Sequence, residues 1–231
     1  SDPAALPEAS SSGAAGIGDS TSGAAALSKP KRMTKAEAKL AKRNAWLCEA
    51  TKLLVAREPS AVAATNENGF TPLHFAVRSA APLACIDAML TANLAAASKL
   101  RTTRQAELPL HDACQHASPE VVARLLAAAP DTVSVEDVDG EAPLHYACRR
   151  LLKFGSRRTG RNHGVQGTIE VISTLLRLCP AAARVVETRK QRLPLHMACE
   201  YIGHAPHAVE IITMLLDAYP EGAACSSHVD E

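Results

Sequence analysis

Aromatic side chains are scarce in this chain of 231 residues: they make up 3% of the sequence, whereas 47% of the residues are apolar. A core made mainly of Ala, Leu and Val favours closely stacked helices over a globule built around aromatic clusters. No apolar run reaches the ~18 residues that a membrane-spanning helix needs. The formal net charge is +1, so no overall field favours nucleic acid or a membrane as partner.

Signatures of catalysis and of cofactor binding are also missing. The sequence contains no recognisable pairing of nucleophile and base, no paired-carboxylate motif and no phosphate-binding glycine loop. Gly155, Gly160, Gly164 and Gly167 follow no predicted strand and precede no Gly-Lys-Ser/Thr motif, so we interpret them as a flexible loop. We therefore expect no catalytic residue, no cofactor and no enzymatic activity.

The cysteines give no sign of a disulfide framework. There are seven, an odd number, and none is part of a Cys-x-x-Cys motif. Cys114, Cys148 and Cys199 occur at one position of a repeated motif, which is typical of a small buried apolar residue. This usage predicts a reducing intracellular compartment, cytoplasmic or nuclear.

A seven-residue motif recurs four times along the chain. Its prolines are separated by 37, 34 and 51 residues. Self-similarity with a period near 33 residues indicates a repeat array. The four copies are Thr71–Val77, Leu108–Cys114, Ala142–Cys148 and Leu193–Cys199.

The shared Pro-Leu-His-x-Ala core resembles the ankyrin repeat, whose usual form is Thr-Pro-Leu-His-x-Ala. The resemblance covers residues 46–231 and implies an all-α solenoid of about four helix–turn–helix repeats with β-hairpin-like fingers. We expect residues 1–33, rich in Ser, Gly and Ala, to be disordered. Residues 34–65 would form a basic N-terminal helix and capping half-repeat. Residues 66–231 would form the repeats, with a basic insertion at 151–167.

A second pattern supports the first. Apolar residues at i, i+1, i+4 and i+5 form one stripe on a helix, and prolines at 59, 130, 180 and 220 would end such helices. The stripes end in the pairs Leu53-Leu54, Met89-Leu90, Leu125-Leu126, Leu175-Leu176 and Leu215-Leu216.

The finger turns depart from the family pattern in two ways. The family places Gly two residues before the motif Thr, and Gly69 and Gly140 match this. Ala106 and Gln191 stand at the same position, so we expect those two fingers to turn differently. The motif Thr itself is present only as Thr71, which puts its hydrogen bond to the histidine in doubt in the other three repeats.

The histidines invite a metal hypothesis, because His111, Asp112, Cys114 and His116 lie within six residues. Columns of stacked units are about 10 Å apart, which is too far for one ion to be shared, so we expect no metal site. In the ankyrin family the motif histidine bonds the backbone and ties the helix start to the finger. That structural role carries over to His74, His111, His145 and His196.

The first functional hypothesis is a non-catalytic scaffold for protein–protein interaction. In the family, partners contact the finger tips and the exposed end of the first helix. In this chain the basic insertion would in addition bind an acidic partner. The predicted partner-binding residues are, by motif position, Phe70, Arg78, Arg104, Glu107, Gln115, His116, Glu141, Arg149, Arg150, Arg189, Arg192, Glu200 and Tyr201, and, in the basic insertion, Arg157, Arg158 and Arg161.

Two alternatives stay open: a targeting module of a larger enzyme or signalling protein, and a binder of RNA or a phosphoprotein through residues 149–161. Nucleic acid is the less favoured partner, and no membrane partner is indicated.

The finger charges alternate in sign, which fits either mutual pairing or a patterned binding strip. Motif spacing places the next proline at 233–235. We therefore expect a further repeat, or self-association through the C-terminal face.

Overall fold

A computed structural model describes residues 34–98, 106–150, 164–200 and 208–225. The predicted disordered segment 1–33 and most of the predicted insertion lie outside these ranges. Within them the chain is all-helical, without strands. The α-helices of these ranges are α1 (Lys35–Arg57), α2 (Pro72–Arg78), α3 (Leu83–Ala92), α4 (Pro109–His116), α5 (Pro119–Ala128), α6 (Pro143–Arg149), α7 (Gly164–Leu178), α8 (Pro194–Glu200) and α9 (Ala208–Ala218).

The helices form two stacked rows. In the first row α2, α4, α6 and α8 pack side by side in that order, and in the second row α1, α3, α5, α7 and α9 do the same. Each first-row helix also packs against the second-row helix that follows it in the chain. The core therefore runs continuously between the two rows and joins sequence neighbours.

The repeated motif explains the first row. Each of its helices begins at the motif proline, because a missing N–H costs nothing in the first helical turn. The motif leucine is buried, as Leu110 and Leu144 illustrate with 1% and 0% exposure. The motif alanine is likewise buried, and its small side chain lets neighbouring helices approach closely. Burial of each leucine stabilises the stack by about 1.5–3 kcal/mol.

The apolar pairs explain most of the second row. Met89-Leu90, Leu125-Leu126 and Leu175-Leu176 are buried as predicted, and Leu215 is buried beside a half-buried Leu216. A short 3-10 helix follows each described second-row helix, α1 included, and starts at the predicted proline in every case except after α3. The 3-10 helices span Pro59–Ala63, Leu94–Ser98, Pro130–Ser134, Pro180–Arg184 and Pro220–Ala224.

The first helix departs from this pattern. Leu53 and Leu54 are 60% and 47% exposed, so this pair is not the counterpart of the buried pairs. Helix α1 instead turns Leu47, Cys48 and Thr51 towards the stack. Its main helical neighbour is α3, and a helix at the end of a row has only one face covered.

The last residues of the predicted insertion are helical. Helix α7 begins at Gly164, so residues 164–167 belong to a helix rather than to a flexible loop. Gly167 and Thr168 are buried in the second row. Residues 151–163 lie outside the described ranges.

The turns before the motif helices correct a second expectation. Ala106 and Gln191 adopt φ values of 46° and 52°, in the same left-handed region as Gly69 and Gly140 at 72° and 71°. The φ values at these two positions therefore match those of the glycines, contrary to the expectation. A non-glycine residue bears a cost of about 1–2 kcal/mol in this region, and the surrounding packing outweighs it.

The fourth turn does differ in length. In the third turn, which precedes α6, the Asp137 N–H donates to the carbonyl of Glu141, four residues later. In the fourth turn, which precedes α8, the Glu187 N–H donates to the carbonyl of Arg192, five residues later. These described turns close through isolated backbone hydrogen bonds and not through a strand ladder. Gly140 has a further reason for being glycine, because a Cβ there would lie 2.9 Å from Thr188 Cγ2.

As for membranes, the helices in the described ranges are all too short or too polar to cross a bilayer.

Candidate partner-binding surface

All four motif histidines bond the turn that precedes their helix, and three of them also bond the segment that follows along the stack. The first link is within the motif, where Nδ1 accepts a backbone N–H from the residue three positions earlier. The four distances are 3.2 Å from Thr71, 3.0 Å from Leu108, 3.1 Å from Ala142 and 2.9 Å from Leu193.

The second link reaches the next turn along the stack. The Nε2–H of His74 donates to the Glu107 carbonyl at 3.3 Å, and the Nε2–H of His111 donates to the Glu141 carbonyl at 3.2 Å. His196 reaches the Cys225 carbonyl at 2.9 Å. An imidazole that accepts at Nδ1 and donates at Nε2 is neutral and carries its proton on Nε2.

His145 departs from the pattern at its second nitrogen. Its Nε2 forms no hydrogen bond of standard geometry, although the Arg192 carbonyl, which stands at the equivalent place in the next turn, interacts with the ring. Burial lowers the pKa of both His111 and His145 to about 4. Both rings are therefore neutral at physiological pH, as their hydrogen bonds require.

Loss of the motif hydroxyl does not remove the first link. In the first repeat the Thr71 hydroxyl lies 2.8 Å from His74 Nδ1, alongside the backbone bond. In the other three repeats the backbone N–H alone occupies Nδ1. Among the described residues, no group of three or more His, Cys, Asp or Glu is placed to hold a metal ion.

Tyr146 is the centre of the polar surface beside these histidines. Its hydroxyl lies 2.7 Å from Asp137 Oδ2 and 2.8 Å from Glu107 Oε1, so three different segments meet at one oxygen. Its ring packs edge-on against His111 at 5.0 Å, with the Arg149 guanidinium over it at 4.8 Å. Burial, together with the hydrogen bond to Asp137, raises the pKa of this phenol far above its usual value. Tyr146 is therefore a fixed neutral donor.

An acceptor side chain shapes each described turn. Asp137 Oδ1 accepts the backbone N–H groups of Asp139 and Glu141 at 2.8 and 2.9 Å. Asn66 plays the same role in the first turn and Glu187 in the fourth. Burial alone would raise the pKa of Glu187, but hydrogen bonds from the Arg192 side chain and from the turn lower it below its ordinary value.

A cleft of about 340 Å³ opens between the third and fourth turns and helix α6. It combines acidic and basic side chains around the Tyr146 hydroxyl. Its walls are Glu107, Asp139, Glu141, Tyr146, Arg149, Glu187, Arg189, Lys190 and Arg192. We call this the charged cleft.

Several of these charges pair within the chain. Arg149 pairs with Glu141, and Arg192 bridges Glu187 at 2.9 Å and Glu200 at 3.1 Å. Between adjacent turns, Arg189 lies 3.6 Å from Asp139. Mutual pairing therefore accounts for part of the charge pattern. The Arg189 side chain remains 74% exposed, so it still presents its charge to solvent.

The predicted partner-binding residues fall into four groups. Arg78, Arg189 and Glu200 are exposed, and Phe70, Gln115, His116, Arg149 and Arg192 are half-buried. Glu107, Glu141 and Arg150 are buried, with 7%, 6% and 4% exposure. Outside the described residues lie Arg104, Arg157, Arg158, Arg161 and Tyr201.

The three buried residues differ from the exposed positions expected for partner contacts. Glu107 accepts from Tyr146, and Glu141 pairs with Arg149. The Arg150 guanidinium donates to the Ala117 carbonyl at 2.6 Å. These side chains hold neighbouring segments together and offer a partner little surface.

An aromatic patch lies at the other end of the same row. The rings of Phe70 and Phe75 are 5.1 Å apart, and the Arg78 guanidinium lies 5.3 Å from the Phe70 centroid. Arg78 also lies 3.7 Å from Asp112. Phe75 is 51% exposed, which makes it an accessible apolar side chain next to a cation.

Two residues of this surface, Phe75 and Tyr146, were not singled out from the sequence. Asp137, Glu187 and Lys190 were noted only as part of the alternating finger charges. One signal was present for the turn acceptors, because Asn66, Asp137 and Glu187 each precede a motif by five or six residues. Phe75 and Tyr146 occupy the variable position of Pro-Leu-His-x-Ala. That position faces the turns, and an aromatic residue there is a usable signal.

No protein-family model matches this chain, and no curated protein matches it either.

Proposed function

We propose that this chain is an ankyrin-type, non-catalytic scaffold that binds a protein through the turns and the first-row helices. The observation that carries the proposal is the charged cleft, whose walls come from successive turns and from α6. Its inner groups are fixed by hydrogen bonds, whereas its rim is exposed. A pre-organised surface of this kind binds with little ordering cost.

The rim favours a partner with acidic side chains. Arg189 and Lys190 are neighbouring exposed cations at the fourth turn. Among the described residues, the Arg189 guanidinium has only a long contact to Asp139, so a partner carboxylate can compete for it. The aromatic patch of Phe70 and Phe75 offers an apolar anchor, and aromatic residues and arginine dominate binding hot spots.

The alternative of an anion site at 149–161 receives less support from the described residues. Arg149 is paired with Glu141, and Arg150 is buried against a backbone carbonyl. Two of the cations assigned to that site are thus engaged inside the chain. The alternative of a targeting module is compatible with a scaffold, since it describes the same surface in a longer protein.

Reversing the two rim charges should weaken partner binding by about tenfold or more, because each such contact contributes on the order of 1 kcal/mol. The full chain and the variant R189E/K190E are immobilised separately, and the proteins that each of them retains are quantified by mass spectrometry. The dissociation constant of each recovered protein is then measured by titration. Unfolding midpoints should stay close to that of the unmodified chain, since both side chains are exposed.

The matched control is R57E/R177E, which changes the net charge equally at exposed residues in the last turns of α1 and α7. Its partner affinity should stay within about twofold of the unmodified chain. Equal loss with both variants would indicate a general charge effect and contradict the proposed surface. Failure to retain any protein specifically would contradict the scaffold function itself.

A further inference from the structure

Two cysteines from different helices meet at the N-terminal end of the stack. Cys48 on α1 and Cys85 on α3 place their sulfur atoms 2.9 Å apart. Both are free thiols. A disulfide bond is about 2.05 Å long, so the sulfur atoms would need to move together by only about 0.9 Å.

The two thiols differ in access to solvent. Cys85 is 1% exposed, and burial, together with the hydrogen bond to Cys48, raises its pKa to about 11. Cys48 is half-buried at the outer side of the pair. Thr51 and Lys52, one turn further along α1, act in the opposite direction and favour the Cys85 thiolate. A dissolved oxidant therefore meets Cys48 first.

We propose that Cys48 and Cys85 form a reversible disulfide that responds to hydroperoxides. The Cys48 thiolate attacks one oxygen of hydrogen peroxide and becomes a sulfenic acid, with release of hydroxide. The Cys85 thiolate then attacks the Cys48 sulfur, and a second hydroxide leaves as the S–S bond forms. The two thiol protons convert both hydroxides to water, so two thiols lose two electrons and one peroxide gains them.

The position of the pair gives the bond a consequence. Helix α1 lies at the end of its row and packs mainly on α3. Two of its large apolar residues, Trp46 and Leu53, are mostly exposed to solvent. Terminal elements of a stack open at lower free energy than the centre. A disulfide from α1 to α3 would hold the first helix in place, and reduction would release it.

Other cysteines are less suited to this role. Cys114 and Cys148 are 0% exposed, and burial raises the pKa of the Cys114 thiol to about 12. Cys199 and Cys225 are exposed and lie at the other end of the chain. Cys179 is half-buried, like Cys48, which makes it a matched control position.

The test exposes the full, folded chain to hydrogen peroxide, blocks remaining thiols and identifies linked tryptic peptides by mass spectrometry. The expected product joins residues 44–52 to residues 79–99 with the loss of two hydrogen atoms, and a dithiol reductant reverses it. On oxidation, hydrogen exchange of the α1 backbone amides should slow by about tenfold or more. C48S and C85S should lose both effects, and C179S should keep both.

The peptide measurement needs no variant, so a poorly folded mutant does not obscure the result. Cys48 and Cys85 both remaining open to alkylation after oxidation would overturn the proposal. Links of Cys48 mainly to Cys199 or Cys225 would also overturn it. Formation of the expected link without slower exchange in α1 would overturn the claim that the bond secures this helix.

Discussion

Lowering the pH from 6.5 to 4 is expected to reduce the free energy of unfolding by about 5 kcal/mol, about 2.5 kcal/mol for each of two buried histidines. Both His111 and His145 are 0% exposed, and their folded pKa is about 4 against an ordinary value of 6.5. Domains are stable by only about 5–15 kcal/mol, so this loss is a large fraction of the total.

The sign follows from proton binding. Between these pH values the unfolded chain binds protons at both rings, whereas the folded chain does not, so stability rises with pH. It is complete above pH 6.5 and is lost as the pH falls towards 4. Asp137 and Glu107 face His111 and favour its charged form, but burial outweighs them. Glu187 acts at lower pH, because its pKa is lowered from 4.5.

Urea unfolding at a series of pH values measures this directly. The variant H111Q should show about half the pH dependence between pH 6.5 and 5, because one of the two rings is gone. E187Q is the control, and it should keep the full dependence in that range. A stability that is flat between pH 6.5 and 5 would contradict the assignment of neutral, buried rings.

Replacing His111 with alanine is expected to lower the free energy of unfolding by about 3 kcal/mol. The substitution leaves the Leu108 N–H and the Glu141 carbonyl without the ring that bonds both. It also leaves space beside Tyr146, whose ring packs edge-on against the imidazole at 5.0 Å. Unpaired buried groups and an empty volume both destabilise the folded state.

His196 is the matched control for this substitution. It makes the same two hydrogen bonds, at 2.9 Å each, but its ring is only half-buried. Water can replace the ring there, so His196→Ala should cost about 1 kcal/mol. Chemical denaturation of the two variants at neutral pH gives the comparison. Equal losses would show that burial does not set the contribution of the motif histidine.

The sequence predicts the positions of the first-row helices well, because the strongest signals are local. A proline in the first turn, a leucine that faces inwards and an alanine that permits close packing are all properties of a single short motif. The four first-row helices therefore begin where the motif places them. The histidine bonds within the motif follow for the same reason, since donor and acceptor are three residues apart.

Non-local consequences were harder to predict. Glu107 and Glu141 were expected to face a partner, but Glu107 bonds Tyr146, which is distant in sequence, and Glu141 pairs with Arg149 on the following helix. Arg150 belongs to no motif that would mark it as buried, and only the fold places the Ala117 carbonyl beside it. A charged residue is predicted to be exposed to solvent unless a partner is known, and only the folded structure shows which partner lies beside it.

The strained backbone conformations of two turns could not be predicted from the sequence either. Glycine at a turn predicts a positive φ, but Ala106 and Gln191 show that packing can impose the same conformation on other residues. Leu53 and Leu54 illustrate the converse for apolar patterns. They repeat the spacing of the buried pairs but are exposed, because a helix at the end of a row has one covered face.

The central claim is that neutral motif histidines, protonated at Nε2, join each first-row helix to the neighbouring turns. Long-range 1H–15N spectra of the 15N-labelled chain record the tautomer and charge of every imidazole. At neutral pH, His74, His111, His145 and His196 should each give the Nε2–H tautomer. At about pH 5.5, midway between the ordinary and the lowered pKa, His111 and His145 should still be neutral. Imidazolium signals from either ring at that pH, or Nδ1–H tautomers at neutral pH, would contradict the account.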